Sequence, residues 1–291
     1  MAWVNAIIQG ILTGGLYALF ACGLSLMFGV MKVVNLAHGD LATVAGYVGV
    51  GVIAATHIAF LWSIPIVVVI MALLGYVLQR TLIQAAINRG ELTTLIVTFG
   101  LSMVIENGLL QFFTANSRGI GVNQSIVTDS FSIGSQIQIA WLDVIIFVLA
   151  VVVLLGLQYY LSSTKYGRLI RAVADDQEAA QLSGADYRHV FGIAAAIAFG
   201  TVALAGTAYG MTTTIDPTTG TQTILLFAFA AVVIGGLGSL WGTLLGGIVL
   251  GVAQQIGAQL NLSWELLAGY VIFLVVLIVR PQGLTSRGAQ S

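Results

Sequence analysis

The chain has 291 residues, of which 58% are hydrophobic and only 7% are charged, and its mean hydropathy is +1.02. Soluble globular proteins carry about 25% charged residues, so the composition excludes an ordinary water-exposed surface. The formal net charge of −1 argues against nucleic acid as a partner, and the single cysteine excludes an internal disulfide. The composition predicts an all-α polytopic membrane protein, with residues 1–291 forming one transmembrane domain in the lipid bilayer.

Charge-free stretches predict where the chain crosses the membrane, because a spanning helix needs about 20 mostly apolar residues. The first stretch is predicted to be a span and not a cleaved signal, since no basic residues precede it. One segment, 222–236, is short enough for a half-helix or a re-entrant piece. The eight or nine predicted segments are 5–30, two within 41–79 that separate near 57–63, 92–114, 144–163, 190–212, 222–236, 240–258 and 264–279.

The basic residues predict the orientation, because short cytoplasmic loops carry an excess of lysine and arginine. When the loop 163–189 is placed in the cytoplasm, all ten lysines and arginines except Arg118 fall on that side. The distribution predicts an outside N-terminus and a cytoplasmic C-terminus. The polar stretch 115–142 is then the largest external loop.

Two of the predicted spans carry polar residues at every fourth position, which places them on one face of each helix. Hydrogen bonds between helices and the lining of a solute path both explain such a stripe. A pathway or gating role is one interpretation of Glu106, because an ionisable group inside a membrane normally faces a cavity or a partner. Hydration near the outer interface is the alternative for that residue. The first stripe is Asn5, Gln9, Thr13 and Tyr17, and the second is Thr94, Thr98, Ser102 and Glu106.

Glycines four residues apart predict close packing between helices of this chain, with packing between two copies as the alternative. Such pairs occur at Gly10 and Gly14 and at Gly247 and Gly251, and a triplet occurs at Gly238, Gly242 and Gly246. His38 and Asp40 are predicted to lie in a cytoplasmic-side turn. Helix capping near Leu41 is favoured there over a metal site or a proton relay.

The sequence lacks the motifs of the common nucleotide-binding and hydrolytic sites. It has no G-x-x-x-x-G-K-[ST] phosphate loop, no H-E-x-x-H and no G-x-S-x-G. We therefore expect that this chain is not an enzyme. We expect no catalytic residue, no metal site and no cofactor bound by the chain itself.

The longest cytoplasmic loop, 163–189, is rich in charge but keeps apolar residues at helical spacing. This pattern predicts an amphipathic helix that docks on another protein. Asp175 or Asp176 can cap the start of that helix. Gly184 suits its end, where a left-handed residue terminates a helix.

Several stretches of the chain together resemble one family of transport proteins. Glu178-Ala179-Ala180 followed by Gly184 resembles the E-A-A-x-x-x-G loop of permease subunits of ATP-binding cassette importers. The stretches 29–41, 94–102 and 230–247 are similar to branched-chain amino acid permeases of the LivH type. In that family the loop forms a short coupling helix that inserts into a groove of a separate ATPase subunit. The resemblance thus implies an ATPase-coupling segment comprising Asp175, Glu178, Ala179, Ala180 and Gly184.

The resemblance also implies the partners and the cell compartment. They are a second homologous permease, two ATPase subunits that hold ATP and Mg²⁺, and an extracytoplasmic solute-binding protein, assembled in the bacterial inner membrane. The translocation path would include the residues of the two polar stripes. Branched-chain or other hydrophobic amino acids are the favoured solutes, with urea, short amides or aromatic acids as alternatives. An ATP-independent channel for a small neutral solute is the competing class.

Overall fold

The computed structural model describes residues 2–56, 60–120, 129–133 and 137–285, with backbone only at 60, 131–133, 137 and 138. Within these ranges eight helices are long and apolar enough to cross a membrane, and the apolar helix Gly220–Gly235 is shorter. The prediction of an all-α polytopic membrane protein with a half-length segment is confirmed. Arg287, one of the basic residues assigned to the cytoplasm, lies outside the described residues.

The helices are numbered in chain order. Two π-helical turns adjoin these helices: the helix Phe60–Leu78 continues through Gln79–Ile83 into Gln84–Ile87, and the helix Leu225–Gly235 follows directly on Gly220–Ile224. The helices are α1 (Ala2–Met31), α2 (His38–Thr56), α3 (Phe60–Leu78), α4 (Glu91–Phe113), α5 (Trp141–Ser163), α6 (Lys165–Asp175), α7 (Gln177–Leu182), α8 (Tyr187–Thr212), α9 (Leu225–Gly235), α10 (Leu240–Leu260) and α11 (Glu265–Val279).

The predicted external loop 115–142 contains a short antiparallel strand pair. Strand β1 (Ser130–Ile133) pairs with β2 (Ile137–Ala140), with Ser130 opposite Ala140. The second strand leads directly into α5. Arg118 of the same loop pairs through its backbone with Ile215, which ties the loop to the chain that follows α8.

Helices α1 and α8 are the most buried of the long helices, and α3, α4, α5 and α11 are the least buried. In the most apolar windows, 78% of the residues of α1 and α8 are buried, against 17% in α4 and 11% in α11. The outer helices expose apolar side chains, as a surface in contact with lipid or with another apolar partner requires.

The glycine pairs bring α1 and α10 into backbone contact. A Cβ atom on Gly10 would lie 2.5 Å from the Cα atom of Val252, and one on Gly247 would lie 2.5 Å from the carbonyl oxygen of Gly14. No side chain fits at these positions, so the glycines permit the close approach. In the described structure they pack helices of the same chain, as the spacing predicts.

Helix α2 begins in the interior of the bundle and not at its edge. The His38 ring donates from Nε2 to the carbonyl oxygen of Phe20, at 2.9 Å. Phe20 precedes the end of α1 at Met31 by about 11 residues, which corresponds to about 16 Å of helix. Residues 32–37 therefore turn back along α1, and the prediction of a cytoplasmic-side turn at His38 and Asp40 is wrong.

The chain after α8 makes a second return of the same kind. Residues 213–219 fold back beside α8, where a Cβ atom on Gly210 would lie 2.7 Å from the side chain of Ile215. The π-helical turn that follows touches the first turn of α2, because Gly220 packs against Gly39. From this meeting point α2 and α9 run in opposite directions. Discontinuous helices that meet in the interior are a recurrent feature of transporter sites.

Candidate functional site

Two carboxylates and two hydroxyls meet where α2, α4 and the π-helical turn before α9 converge. Ser102 donates a hydrogen bond from Oγ to Oδ2 of Asp40. Oγ1 of Thr221 lies 2.8 Å from Oδ1 of Asp40 and 3.2 Å from Oε2 of Glu106. We call Asp40, Ser102, Glu106 and Thr221 the central polar cluster. Because one hydroxyl carries one hydrogen, Thr221 can donate to only one of the two carboxylates at a time.

The fold explains how a carboxylate is held in this position. Asp40 is fully buried in the first turn of α2, where the unpaired N–H groups of a helix start favour negative charge. A Cβ atom on Gly39 would overlap the carbonyl oxygen of Gly220, and one on Gly220 would lie 2.5 Å from Oδ1 of Asp40. Both positions must therefore be glycine for the turn to reach Asp40.

The stripe on α4 faces the interior of the protein. Thr94, Thr98 and Ser102 are buried and Glu106 is half-buried, whereas Phe99, on another face of the helix, is exposed. The hydroxyls of Thr94 and Thr98 donate to the backbone carbonyl oxygens four positions before them in the chain, at 3.1 and 3.0 Å. The structure thus brings Ser102 and Glu106 into the central polar cluster, while the two threonines extend the same face along the helix. A role of the stripe in transport stays a prediction.

The stripe on α1 meets a different helix. Asn5, Gln9 and Thr13 are half-buried, and Tyr17 is buried and donates a hydrogen bond to Oε1 of Gln254 on α10 at 2.5 Å. The two predicted stripes are therefore not parts of one site, since Ser102 meets Asp40 of α2 and Tyr17 meets α10.

Sequence reasoning missed Thr221 and did not place Asp40 in the site. The available signal for Thr221 was the polar run 218–223 at the start of the short segment, in a stretch without charge. For Asp40 it was an acidic residue next to Gly39 and shortly before an apolar helix. Neither signal shows that the two residues meet, because they lie 181 positions apart in the chain.

The loop 163–189 folds as two short helices, not as one. Helix α6 packs Ile170 and Val173 into the protein. The exposed side chains of Arg168 and Arg171 donate to the carbonyl oxygens of Ser163 and Ser162, at 2.9 and 3.2 Å. These bonds satisfy carbonyl groups at the end of α5, so α6 is fixed to the transmembrane bundle.

Helix α7 carries the E-A-A motif and is capped at both ends. Asp176 caps its start by accepting a hydrogen bond from the backbone N–H of Ala179 at 2.9 Å. Asp175 is the last residue of α6, so of the two predicted capping residues the structure selects Asp176. Gly184 has φ +87°, and the N–H of Ala185 bonds to the carbonyl oxygen of Ala180 at 3.0 Å. This glycine-based end is the one that the sequence predicts.

The outer surface of α7 is free of contacts with the rest of the described chain. Glu178 and Ala179 are exposed, Ala180 is buried against the protein, and the Leu182 side chain is 91% exposed. A groove of about 460 Å³ beside α7 is lined by residues of α6, α7 and the segment that follows, including Leu169 and Ser183. A short capped helix with an exposed leucine beside a groove is suited to contact another protein.

Asp186 joins the loop to the bundle on the same side. It caps α8 by accepting hydrogen bonds from the N–H groups of Arg188 and His189, at 3.0 and 3.3 Å, and its carboxylate lies 3.6 Å from Arg80. Desolvation raises the pKa of Asp186, but those hydrogen bonds and the charge of Arg80 outweigh it and hold the pKa below its usual value. The contacts connect α8 with the π-helical turn of α3. Among the described residues no group of three or more His, Cys, Asp or Glu side chains is arranged to hold a metal ion.

Comparison with known proteins shows the family. The family described as branched-chain amino acid transport system / permease component matches residues 6–279. The chain belongs to this permease family. The predicted likeness to LivH-type permeases is confirmed, and the chain is a multi-pass membrane permease of the ABC-transporter type.

Three relatives illustrate the range of the similarity. The permease BraD of Pseudomonas aeruginosa, from a high-affinity branched-chain amino acid transport system, is 27% identical over 98% of this chain and 96% of its own length. LivH of Salmonella typhimurium, from a transport system of the same description, is 28% identical over the same shares. The fructose import permease FrcC of Rhizobium meliloti is 33% identical but covers 71% of this chain and 59% of its own length.

Proposed function

We propose that this permease is a membrane subunit of an ATP-driven importer that takes up branched-chain or other hydrophobic amino acids. It pairs with a second, homologous permease, receives solute from an extracytoplasmic binding protein, and is driven by two ATPase subunits that carry ATP and Mg²⁺. The observation that carries the proposal is α7, a capped helix that presents the E-A-A motif outside the transmembrane bundle. A channel that works without ATP needs no such helix.

The orientation in this proposal places α6 and α7 in the cytoplasm of a bacterial cell, with the N-terminus outside. The basic ends of α1, α3, α5 and α11 then face the cytoplasm, as the distribution of lysine and arginine favours. ATP binding and hydrolysis move the ATPase subunits, and α7 passes this movement through α6 to α5 and the bundle. Glu178, Ala179 and Leu182 contact the ATPase, and Gly184 allows the chain to turn back into α8.

The central polar cluster is the proposed point of solute recognition inside the membrane. An amino acid carries an ammonium group, whose N–H groups can donate hydrogen bonds to the carboxylates of Asp40 and Glu106. The apolar side chain of the solute then contacts the non-polar walls around the cluster. Helices α2 and α9 begin at the cluster and run in opposite directions, so a solute bound there can be reached from each side of the membrane in turn.

The identity of the solute rests on the relatives with full-length coverage. BraD and LivH, whose names give branched-chain amino acids, match nearly the whole chain, whereas FrcC, named for fructose, covers a smaller part. Hydrophobic amino acids are therefore the first candidates. Urea, short amides and aromatic acids are the alternatives within the same family.

The direct test is uptake by the assembled transporter. The permease is purified with the subunits that accompany it, placed in liposomes with its binding protein, and supplied with ATP on the side of α7. We expect accumulation of labelled leucine that requires ATP, with urea and fructose not accumulated. Leucine passage that equilibrates without ATP would support the channel. ATP-dependent accumulation of urea or fructose instead of leucine would show that the protein belongs to an ATP-driven importer but that the proposed solute is wrong.

A further inference from the structure

A cavity of about 290 Å³ lies where the ends of four helices meet, away from both the central polar cluster and α7. Its walls come from the last turns of α1 and α5, from α6, and from the first turn of α10. Because α5 ends at Ser163, α1 ends at Met31 and α10 begins at Leu240, these walls lie at one level of the bundle. That level is the edge of the bundle from which α6 and α7 project.

The exposed lining of the cavity adjoins the lipid-facing sides of two helices. On α5 the exposed residues Val152, Leu155 and Tyr159 form a stripe that leads to Gln158 and Ser162 in the cavity wall. On α10 the half-exposed Trp241 lines the cavity, and Leu245 continues its face away from the edge. Tryptophan is enriched where a membrane meets water. The cavity therefore opens towards lipid at the level of the headgroups.

The charge of the cavity is positive. Arg171 of α6 is the charged side chain among its lining residues, and its Nη2 is held by the carbonyl oxygen of Ser162 at 3.2 Å. A guanidinium has five N–H donors, so most of them are available to an anion. The wall opposite contains Ser239, the capping residue of α10, next to the partially positive start of that helix.

A hydroxyl without a partner lies deeper in the same cavity. Ser25 of α1 is fully buried and lines the cavity, and its Oγ has no hydrogen-bond partner among the residues that the structure describes. It precedes the end of α1 by six residues, a depth of about 9 Å. A buried hydroxyl without a partner is costly, so its position indicates a ligand with an oxygen acceptor at this depth.

We propose that this cavity binds an anionic phospholipid of the surrounding leaflet. The phosphate binds Arg171 and the start of α10, an ester oxygen of the glycerol backbone accepts a hydrogen bond from Ser25, and the acyl chains continue along the exposed Leu155 and Val152 of α5. The order of these groups, from charged at the edge to polar and then apolar inside, is that of a glycerophospholipid. Basic pockets between membrane helices on the cytoplasmic side are known to bind anionic headgroups.

A lipid in this position contacts α6 together with α1, α5 and α10. It therefore fixes the segment that connects α7 with the bundle. The proposal shares with the proposed function only the assignment of this side to the cytoplasm, where anionic lipids are abundant. Lipid binding is measured without transport, so failure of one proposal is distinguished from failure of the other.

The test measures how tightly the protein binds an anionic lipid. The full chain, purified with its accompanying subunits and stripped of lipid in detergent, is titrated with phosphatidylglycerol and followed by native mass spectrometry. We expect Arg171→Ala to weaken binding about five- to tenfold. Arg168→Ala is the matched control, because Arg168 is exposed on the same helix, bonds to a neighbouring carbonyl, and does not line the cavity. Ser25→Ala, which removes only the hydroxyl, should weaken binding about two- to fivefold.

Each of the following results would overturn the proposal. Equal loss in the two arginine variants would show attraction to general surface charge, and no loss in Arg171→Ala would show that the cavity is not the site. Equal affinity for phosphatidylcholine would exclude recognition of an anionic lipid. Binding of glycerol phosphate as tight as that of the whole lipid would identify a site for free phosphate. If Arg171→Ala does not assemble, unchanged binding in Ser25→Ala decides against the proposal.

Discussion

At the scale of single residues, Asp40 is held by groups from two distant parts of the chain. Ser102 of α4 and Thr221 of the π-helical turn both donate to it, and Thr221 also lies within reach of Glu106. If Thr221 donates to Glu106, its hydroxyl no longer donates to Asp40, so the contacts of the two carboxylates depend on each other. A solute with an ammonium group can use the same acceptors, so Asp40 is the residue at which recognition is most directly tested.

We expect Asp40→Asn to lower ATP-dependent leucine uptake about ten- to a hundredfold, because a hydrogen bond to a charged group is lost. The variant keeps the volume of the side chain, so the yield of folded protein should be unchanged. Uptake is measured in liposomes that contain the assembled transporter.

The matched control for that change is Asp143→Asn. Asp143 is also an aspartate in the first turn of a membrane helix, α5, but it does not belong to the central polar cluster. Its replacement should leave uptake close to that of the unchanged protein. Equal loss in both variants, or unchanged uptake in Asp40→Asn, would remove the cluster from the solute path.

At the scale of elements, the contact between α2 and the π-helical turn before α9 builds the site. The contact exists because Gly39 and Gly220 have no side chains, and the two return stretches 32–37 and 213–219 bring them to the same depth. The same principle joins α1 to α10 through Gly10, Gly14, Gly247 and Gly251. The hydrophobic effect does not drive helices together in lipid, so close backbone packing of this kind stabilises their association instead.

The element contact predicts an effect on stability. Gly39→Ala should lower the free energy of unfolding by about 1–3 kcal/mol, because the added methyl group overlaps the carbonyl oxygen of Gly220. The measurement is the thermal unfolding midpoint of the purified protein in detergent.

Gly51→Ala in the same helix is the control, since within the described residues no atom outside its own helical turn lies within 4 Å of the position of its Cβ. It should leave the midpoint unchanged or raise it, because alanine favours a helix more than glycine does. A midpoint in Gly39→Ala equal to that in Gly51→Ala would show that α2 does not pack closely against the π-helical turn.

Much of the fold follows from the sequence, because each span is a local run of apolar residues. The nine predicted segments, the short one among them, correspond to helices of the structure. The end of α7 at Gly184 was also predictable, since capping depends on neighbours within a few positions. The return stretches were not, because the depth of residues 32–37 depends on contacts such as that between His38 and Phe20. The contact between Asp40 and Thr221 could not be predicted either, because it also depends on how distant parts of the chain pack together.

At the scale of the whole molecule, the orientation and the direction of coupling are linked. The ends of α1, α3, α5 and α11 that carry basic residues lie on the side of α6 and α7. Only if this side faces the cytoplasm can α7 meet an ATPase subunit. Orientation is therefore the condition for the proposed function.

Accessibility of introduced cysteines tests the orientation. Cys22 is fully buried and is first replaced by alanine. We expect Ser117→Cys, in the loop after α4, to react with a membrane-impermeant maleimide in intact cells, and Ser183→Cys, beside α7, to react only in inverted vesicles. The reverse pattern would place α7 outside the cell and exclude its contact with a cytoplasmic ATPase.

The central claim is that α7 couples ATP hydrolysis to movement of solute, and Glu178→Lys tests it most directly. Leucine uptake and ATP hydrolysis are measured together in liposomes that contain the assembled transporter and its binding protein. The account predicts that uptake per ATP hydrolysed falls about tenfold, since a reversed charge at a protein interface costs several kcal/mol. Glu91→Lys is the control, because Glu91 is an exposed glutamate at the start of α4 on the same side, and it should leave the ratio unchanged. An unchanged ratio in Glu178→Lys would contradict the account.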